Sequence, residues 1–221
     1  MLLVMANPAL ELTADIENPA LKEWAAVNRA LLEGRQIIDL RKGGIREEGH
    51  RFRIRALRFW LYDSFEHQRA ELLLPAASDL LDAAVVASPP AGRLRFDGWA
   101  EIVESAALTE PGQVEALHGL HIWTPDYAVQ RFRWRPKAPL LVLVLRVHRL
   151  DEPIEAPLRS EYASCTSWVP MLDVPPDPGA LASTPVLDDV AFARRVEELH
   201  AALPGVAFEA PSAPVEAGAG R

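Results

Sequence analysis

The sequence predicts an α+β fold, and three observations carry that prediction. The composition, 49% hydrophobic and 24% charged in a chain of 221 residues, is that of a globular protein that can bury a full core. The stretch after Asn18 has helical spacing between marked ends. The stretch "PLLVLVLRVHRL", residues 139–150, is a nearly continuous apolar run, which is typical of a central strand covered on both faces.

A helix and two strands are expected first along the chain. Asn18 can cap a helix, Pro19 suits its first turn and Gly34 suits its end, so the spacing predicts a helix between them. A strand is expected at 36–40, and a second strand, rich in aromatic residues, at 57–62.

Alternation along this aromatic strand assigns its side chains to two faces. Phe59 and Leu61 share one face, and Trp60 and Tyr62 share the other. Because both faces are apolar, we expect the strand to be covered on both sides. The polar sequence "EHQ" that follows is then expected to border a cavity, together with Arg41.

The later elements are expected from turn signals and periodicity. A short helix is expected at 78–86, and a strand pair or one long bent strand at 93–108, with Gly98 as a bulge. Two short helices, each with proline near its start, precede the central strand, and a last helix is expected at 187–203. The predicted parts are an N-terminal segment 1–18, a main domain 19–173, a C-terminal extension 174–210 with a helix, and a tail 211–221 with the composition of disordered segments.

Several classes of function are disfavoured by residues that the chain lacks. Cys165 is its single cysteine, so no intramolecular disulfide or cysteine-based metal site can form, and a cytoplasmic setting is expected. No apolar run approaches the roughly 20 residues that span a bilayer, so no membrane role is expected. His118 and His121 have no carboxylate pair at ligand spacing, so neither a metal nor another cofactor is expected.

Charge is segregated along the chain, although the net charge is −8. Residues 35–69 hold nine Arg or Lys against five Asp or Glu, and residues 131–149 hold six basic residues and no acidic one. These two basic segments can meet around one concavity and bind phosphate. Alternatively, they pair with the acidic segments that lie between and after them.

The basic segments hold most of the candidate residues for binding nucleic acid or a nucleotide. Arg35, Arg41 and Lys42 are candidates for phosphate contacts, with the backbone amides of Gly43 and Gly44 as a small anion nest. Basic and aromatic residues interleave near residue 132, as in proteins that bind single strands. The remaining candidates, of which the histidine and the glutamine would read the ligand, are Arg58, Glu66, His67, Gln68, Arg131, Arg133, Trp134 and Arg135.

Two alternatives stay open at this point. Asp39, Glu66 and His67 would serve an enzyme, either a nuclease component or a hydrolase of a modified nucleoside. Asp39 buried against an arginine would instead indicate a structural role. An interaction module is the third hypothesis, and an exposed apolar stripe on the helix at 187–203 would favour it.

Five stretches of the chain resemble a bacterial family known only as a domain of unknown function, number eighteen hundred and two. They lie between about residues 20 and 170. Members of that family sometimes accompany Mrr-type restriction endonuclease domains, so the resemblance implies a restriction or defence setting. The stretches are "ALKEWAAVNRALLEGRQIIDLRKGGIRE", "RFWLYDSFEHQR", "HIWTPDYAVQRFRWRP", "PLLVLVLRVHRLDEPI" and "SCTSWV".

More distantly, the order of elements is similar to the ASCH branch of the PUA-like fold. "GRQIIDLR" occupies the slot of the G-x-K-T-x-E-x-R pattern of that branch, and "VHRLDEPI" occupies its last strand. The resemblance implies a small twisted mixed β-barrel with flanking helices that handles nucleic acid. Some ASCH proteins are amidohydrolases or ribonucleases that use the lysine and threonine of the pattern. Gln36 and Ile37 stand in those slots here, so the resemblance does not extend to that activity.

Overall fold

A computed structural model of the chain describes residues 12–43, 52–66, 68–134, 136, 138–163 and 166–211. Within these ranges, seven strands form one mixed sheet and five α-helices flank it. The elements in chain order are β1 Pro19–Trp24, α1 Ala25–Leu32, β2 Ile38–Arg41, β3 Arg58–Ser64, α2 Ser78–Val86, β4 Arg93–Leu108, α3 Pro111–Glu115, α4 Pro125–Arg133, β5 Leu140–Pro157, β6 Trp168–Pro170, β7 Ser183–Pro185 and α5 Asp189–Ala202.

The sheet is open and strongly curled. Its strand order is β2-β5-β4-β3-β1-β6, with β7 paired to β5. The β1–β3 pair is parallel and the other ladders are antiparallel. Arg41 on β2 donates to the backbone oxygen of Lys22 on β1, four places away in the strand order, so the sheet bends back on itself. The predicted α+β class, with a mixed sheet, flanking helices and a C-terminal helix, is confirmed.

The predicted first helix is wrong in its first half, because residues 19–24 form strand β1. Asn18 does not cap a helix: it lies in the left-handed region at φ 46°, and its amide nitrogen donates to the carbonyls of Met171 and Val174 at 2.8 and 2.9 Å. Its oxygen accepts a hydrogen bond from Trp60. Asn18 therefore connects three segments through hydrogen bonds. As a strand, β1 pairs with β3 on one edge and with β6 on the other, and a helix at 19–24 could not form these ladders.

The two expected faces of the aromatic strand are both covered. Phe59 and Leu61 belong to the main core, which also holds α1 and most of β5. Trp60 and Tyr62 belong to a second cluster on the other face. This second cluster is packed with β4, β6 and the segment before β6, so β3 is buried on both sides as its sequence predicts.

The other elements follow the sequence closely. The helix predicted at 78–86 has these bounds, and residues 93–108 form one long strand whose register shifts between Phe96 and Gly98. The strand expected at 139–150 continues to Pro157 and so becomes the longest of the described strands. No helix within the described residues is long and apolar enough to cross a membrane.

Residues after 174 pack onto the same sheet and core. Strand β7 pairs with β5, and Leu199 of α5 is 1% exposed in the main core. Phe192 and Val196 also pack against that core, while Val190 is 81% exposed. The apolar stripe of α5 is therefore largely used inside the fold, and the condition that would favour an interaction module is not met on this helix. The proposed division at residue 173 stays a prediction.

Candidate functional site

The described residues enclose a cavity of about 730 Å³ where β3 and β4 diverge. The β3–β4 ladder stops at the pair Trp60–Trp99, although β3 continues to Ser64 and β4 begins at Arg93. The cavity lies in the gap, closed by the segments before β4 and after β5. Its lining is Lys22, Tyr62, Asp63, Ser64, Phe65, Glu66, Val85, Ser88, Pro89, Pro90, Ala91, Gly92, Arg93, Leu94, Arg95, Phe96, Leu158, Arg159, Ser160, Tyr162 and Ala163.

Aromatic side chains form much of the cavity wall. Tyr62 and Phe96 meet edge to face, with ring centroids 6.2 Å apart, and Tyr162 is buried beside them in the second cluster. Burial raises the pKa of Tyr62 to about 12, so this phenol stays neutral across the physiological range. Phe65 is exposed in the lining. Such walls suit a flat ring that stacks or packs edge-on.

Four cationic residues line the cavity: Lys22, Arg93, Arg95 and Arg159. The Lys22 ammonium donates to the backbone oxygen of Tyr162 at 2.6 Å and lies 5.0 Å from the centre of the Tyr62 ring. Arg159 is held by Asp173 through two hydrogen bonds of 2.5 and 2.7 Å. Lys22 is thus fixed on the same sheet face as Tyr62, and Arg159 brings a positive charge to the lining.

Asp63 is one of two acidic residues in the cavity lining, with Glu66. Its side chain turns back to helix α1, where the Asn28 amide donates to Oδ1 at 2.8 Å. Burial raises the pKa of Asp63 from 3.8 to about 7, and Asp97 adds to this rise, whereas the Asn28 hydrogen bond and the Arg29 charge oppose it.

This shifted carboxyl predicts a pH dependence of stability. The folded state keeps a proton on Asp63 that the unfolded state releases near pH 4. The contribution of this proton to the free energy of unfolding is therefore full below about pH 4 and is lost as the pH rises to about 7. We expect parent stability to fall by up to about 1.4 kcal/mol per pH unit relative to Asp63→Asn in that window. Urea unfolding at pH 5, 6, 7 and 8 measures the difference. The control Asp126→Asn, on an exposed helical turn, is expected to track the parent, and a parent curve parallel to Asp63→Asn would contradict the assignment.

A buried ionic cluster lies across β1 from the cavity. Because side chains alternate along β1, Lys22 faces the cavity and Glu23 faces the opposite side. There Arg41 pairs with Glu23 and, at 3.4 Å, with Asp39, and Arg131 lies 3.7 Å from Glu23. Burial raises the pKa of Asp39, and the Arg41 charge offsets part of this rise.

The structure brings some of the predicted binding residues together and separates others. Arg41 and Arg131 meet at Glu23, and Lys42 donates to the backbone oxygen of Phe132, so the two basic segments do come into contact. Gly43 is buried beside them. Acidic neighbours neutralise this junction.

The remaining predicted residues that the structure describes make other contacts. Arg35 pairs with Glu33 and Asp79, and Arg58 pairs with Glu101 and lies over the Trp99 ring. These contacts do not join the two arginines to the cluster around Arg41, and the expectation of one concavity stays a prediction. Arg133 and Trp134 are exposed at the end of α4. Gly44, His67 and Arg135 lie outside the described residues.

Glu66 and Gln68, which follow β3, do not share a cleft with Arg41. Glu66 lines the cavity, whose lining does not include Arg41. Gln68 accepts a hydrogen bond from the Ala26 backbone at 3.2 Å, so its amide serves the first turn of α1. The expected common cleft is not formed by these residues, because β1 stands between the cavity and the ionic cluster.

Asp39, one of the residues of the enzyme hypothesis, makes structural contacts. Asp39 is 3% exposed and bound to Arg41, the arrangement expected of a structural carboxylate. Within the described ranges, no group of three or more His, Cys, Asp or Glu side chains can hold a metal ion. Gln36 is also structural, since its side chain donates to the Ile38 carbonyl and accepts from the Ile122 backbone.

Within the described residues, the fold is a curled α+β domain with a large aromatic-walled cavity. The chain belongs to the family described as "Domain of unknown function (DUF1802)", which matches residues 20–198. The family predicted from the five sequence stretches is thereby confirmed.

Comparison with other known proteins adds a distant likeness. No curated protein matches the chain. Among solved structures it is similar to ASCH from Zymomonas mobilis, at 12% identity over 86% of this chain and 95% of that chain, with a TM-score of 0.36. A single-residue mutant of the same protein matches at 14% identity over 84% and 97% of the two chains, also with a TM-score of 0.36. These values transfer no residue role to this chain.

Proposed function

We propose that this protein is a non-catalytic binding domain for a nucleotide unit, taken either free or from single-stranded nucleic acid. The observation that carries the proposal is the cavity at the divergence of β3 and β4. Its volume of about 730 Å³ lies within the range of about 300–1,000 Å³ typical of small-molecule sites. Its walls are aromatic, and one lysine and three arginines also line it.

The parts of a nucleotide correspond to parts of this cavity. A base can pack against Tyr62, Phe96 and Tyr162, because every base has an apolar, polarisable face. A phosphate can be held by Arg159, whose guanidinium has five donors, only part of which Asp173 uses. Lys22 adds a second positive charge at the same wall.

The overall charge of −8 fits a pocket better than a broad phosphate-binding surface. A net negative chain repels a polyanion at long range, so binding must come from contacts inside a defined site. We therefore expect a modest dependence on salt, corresponding to one or two phosphate contacts. The restriction or defence setting implied by the family would supply single-stranded ends or flipped bases as the source of the nucleotide.

An arginine substitution tests this proposal. We expect Arg159→Ala to weaken binding of a nucleoside 5′-monophosphate by about fivefold to tenfold, because one charge-assisted contact to phosphate is lost. Arg58→Ala is the matched control, since Arg58 is also a surface arginine paired with a carboxylate but does not line the cavity. Isothermal titration with the four monophosphates, at two salt concentrations, measures the effect.

The source of the nucleotide is tested in the same titrations. Tetranucleotides of DNA and RNA, with and without a 5′-phosphate, are compared with the free monophosphates. Tighter binding of an oligonucleotide indicates nucleic acid as the source, and equal binding indicates a free nucleotide. Loss of affinity that is the same for Arg159→Ala and Arg58→Ala, or no binding of any of these ligands, would refute the proposal.

A further inference from the structure

Backbone N–H and C=O groups of strand edges, as well as side chains, contribute polar groups to the cavity lining. In an antiparallel ladder, every second residue turns both its N–H and its C=O towards a given neighbour. The Ile102 amide donates to the Leu57 carbonyl, in register with the β3–β4 ladder. The residues of β3 that face β4 are therefore those at odd positions, and Asp63 is one of them.

The backbone of Asp63 faces the cavity rather than a strand partner. The β3–β4 ladder ends at Trp60 and Trp99, three residues before Asp63, so no β4 residue pairs with Asp63 in the register. The other edge of β3 is occupied by β1, to which the even positions of β3 turn. The N–H and C=O of Asp63 thus provide one donor and one acceptor at the cavity wall.

The same reasoning applies to β4 on the opposite wall. The Leu158 amide donates to the Gly92 carbonyl, in register with the β4–β5 ladder, so the even positions near the start of β4 face β5. Arg95 then turns its backbone groups away from β5, towards the gap. Arg93 lies on the same strand edge, but its N–H already donates to the Pro90 carbonyl at 3.1 Å. Both residues line the cavity, although their guanidinium groups are paired with Glu155 and Asp97.

We infer that these two strand edges read the polar edge of an unpaired base, in which an N–H donor lies beside an acceptor. This inference rests on the proposed nucleotide site and deepens it. The Asp63 C=O would accept from the base and the Asp63 N–H would donate to it, while the backbone of Arg95 faces the opposite side. Asn28 holds the Asp63 side chain at 2.8 Å and so keeps this backbone in place. A base already paired in a duplex has this edge occupied and is excluded.

Methylation of the base edge tests the inference. The nucleotide that binds best is compared with its blocked counterpart: N6,N6-dimethyl-AMP for AMP, N4,N4-dimethyl-CMP for CMP, N1-methyl-GMP for GMP or N3-methyl-UMP for UMP. We expect at least a tenfold loss of affinity, because a site built to bind a donor leaves its acceptor unpaired when the donor is blocked. Equal affinity for the blocked nucleotide would overturn the inference, yet would leave the proposed function intact.

A side-chain variant separates backbone from carboxylate recognition. Asp63→Asn retains an oxygen that accepts from Asn28 and leaves the backbone groups unchanged. The tenfold discrimination is therefore expected to persist in Asp63→Asn within about twofold. If it disappears, the carboxylate reads the base and the inference is wrong.

Hydrogen exchange of single amides gives a direct readout. Saturation with the best nucleotide is expected to slow exchange of the Asp63 amide by more than that of the Trp60 amide, which lies within the β3 ladders and reports only the gain in global stability. An Asp63 amide that exchanges at the same rate with and without the bound nucleotide would overturn the inference. Absence of any nucleotide binding in the titrations would refute the proposed function itself. The inference that the strand edges bind the base would then fail as well.

Discussion

Replacing Arg41 by methionine is expected to destabilise the protein by about 3–5 kcal/mol, the largest effect we expect of any single substitution discussed here. The Arg41 side chain is 5% exposed and neutralises Glu23 and Asp39, which are themselves 6% and 3% exposed. Its removal leaves two buried carboxyls, and among the described residues Arg131 then lies 3.7 Å from Glu23. Chemical unfolding at pH 6 and pH 8 measures the loss of stability. The loss should be larger at pH 8, because the two buried carboxyls are then less often neutralised by protonation.

Two further variants separate a buried-charge effect from a packing effect. Arg41→Met combined with Glu23→Gln and Asp39→Asn should recover a substantial part of the lost stability, because no carboxylate is then left without a counterion. Arg58→Ala removes an exposed arginine that pairs with Glu101 at 3.3 Å and should cost less than about 1 kcal/mol. If the triple variant is no more stable than Arg41→Met, lost packing explains the effect and the electrostatic account fails.

Much of the fold could be predicted from local sequence signals. The main wrong prediction, a helix over residues 19–24, shows that tertiary contacts can override such signals. Helix α2 and strand β4 follow from proline, glycine and periodicity within their own residues. Residues 19–24 carry equally clear helical signals, yet they form β1. The deciding interactions come from β3 and from β6, about 40 and 150 residues away along the chain, and no local pattern contains them.

The candidate site was harder to predict, for a related reason. The sequence predicts binding residues in the arginine-rich segments. A basic residue can bind a ligand or pair with a buried carboxylate, however, and Arg41 pairs with Glu23. Lys22 was assigned to a helix, so its place beside Tyr62 could not be foreseen. The expectation that polar groups after the aromatic strand border a cavity is met by Glu66. Backbone groups such as those of Asp63 carry no sequence signature at all.

Gly98→Ala is the second substitution with a large expected effect, a loss of about 2–3 kcal/mol. A Cβ atom at this position would lie 2.4 Å from the His148 carbonyl oxygen and 2.6 Å from a Leu32 methyl carbon. Leu32 can shift, but His148 O belongs to the backbone of the neighbouring strand β5. Thermal and urea unfolding measure the loss. Gly112→Ala is the control, because nothing lies within 4 Å of its added Cβ, and it should change stability by less than about 0.5 kcal/mol.

The same substitution is expected to weaken the ligand site, because Gly98 lies where the cavity begins. The register of β4 on β5 shifts between Phe96 and Gly98, immediately beyond the last β3–β4 pair at Trp99. The extra residues lie on β5, where residues 150–153 stand opposite the single β4 residue between Phe96 and Gly98, and such a bulge bends the sheet at the point where β4 separates from β3. Pushing β4 away from His148 alters this bend, so Gly98→Ala should lower nucleotide affinity even at temperatures where the variant stays folded. Parent-like affinity in a folded but destabilised Gly98→Ala protein would show that the bulge sets the stability of the sheet without shaping the cavity.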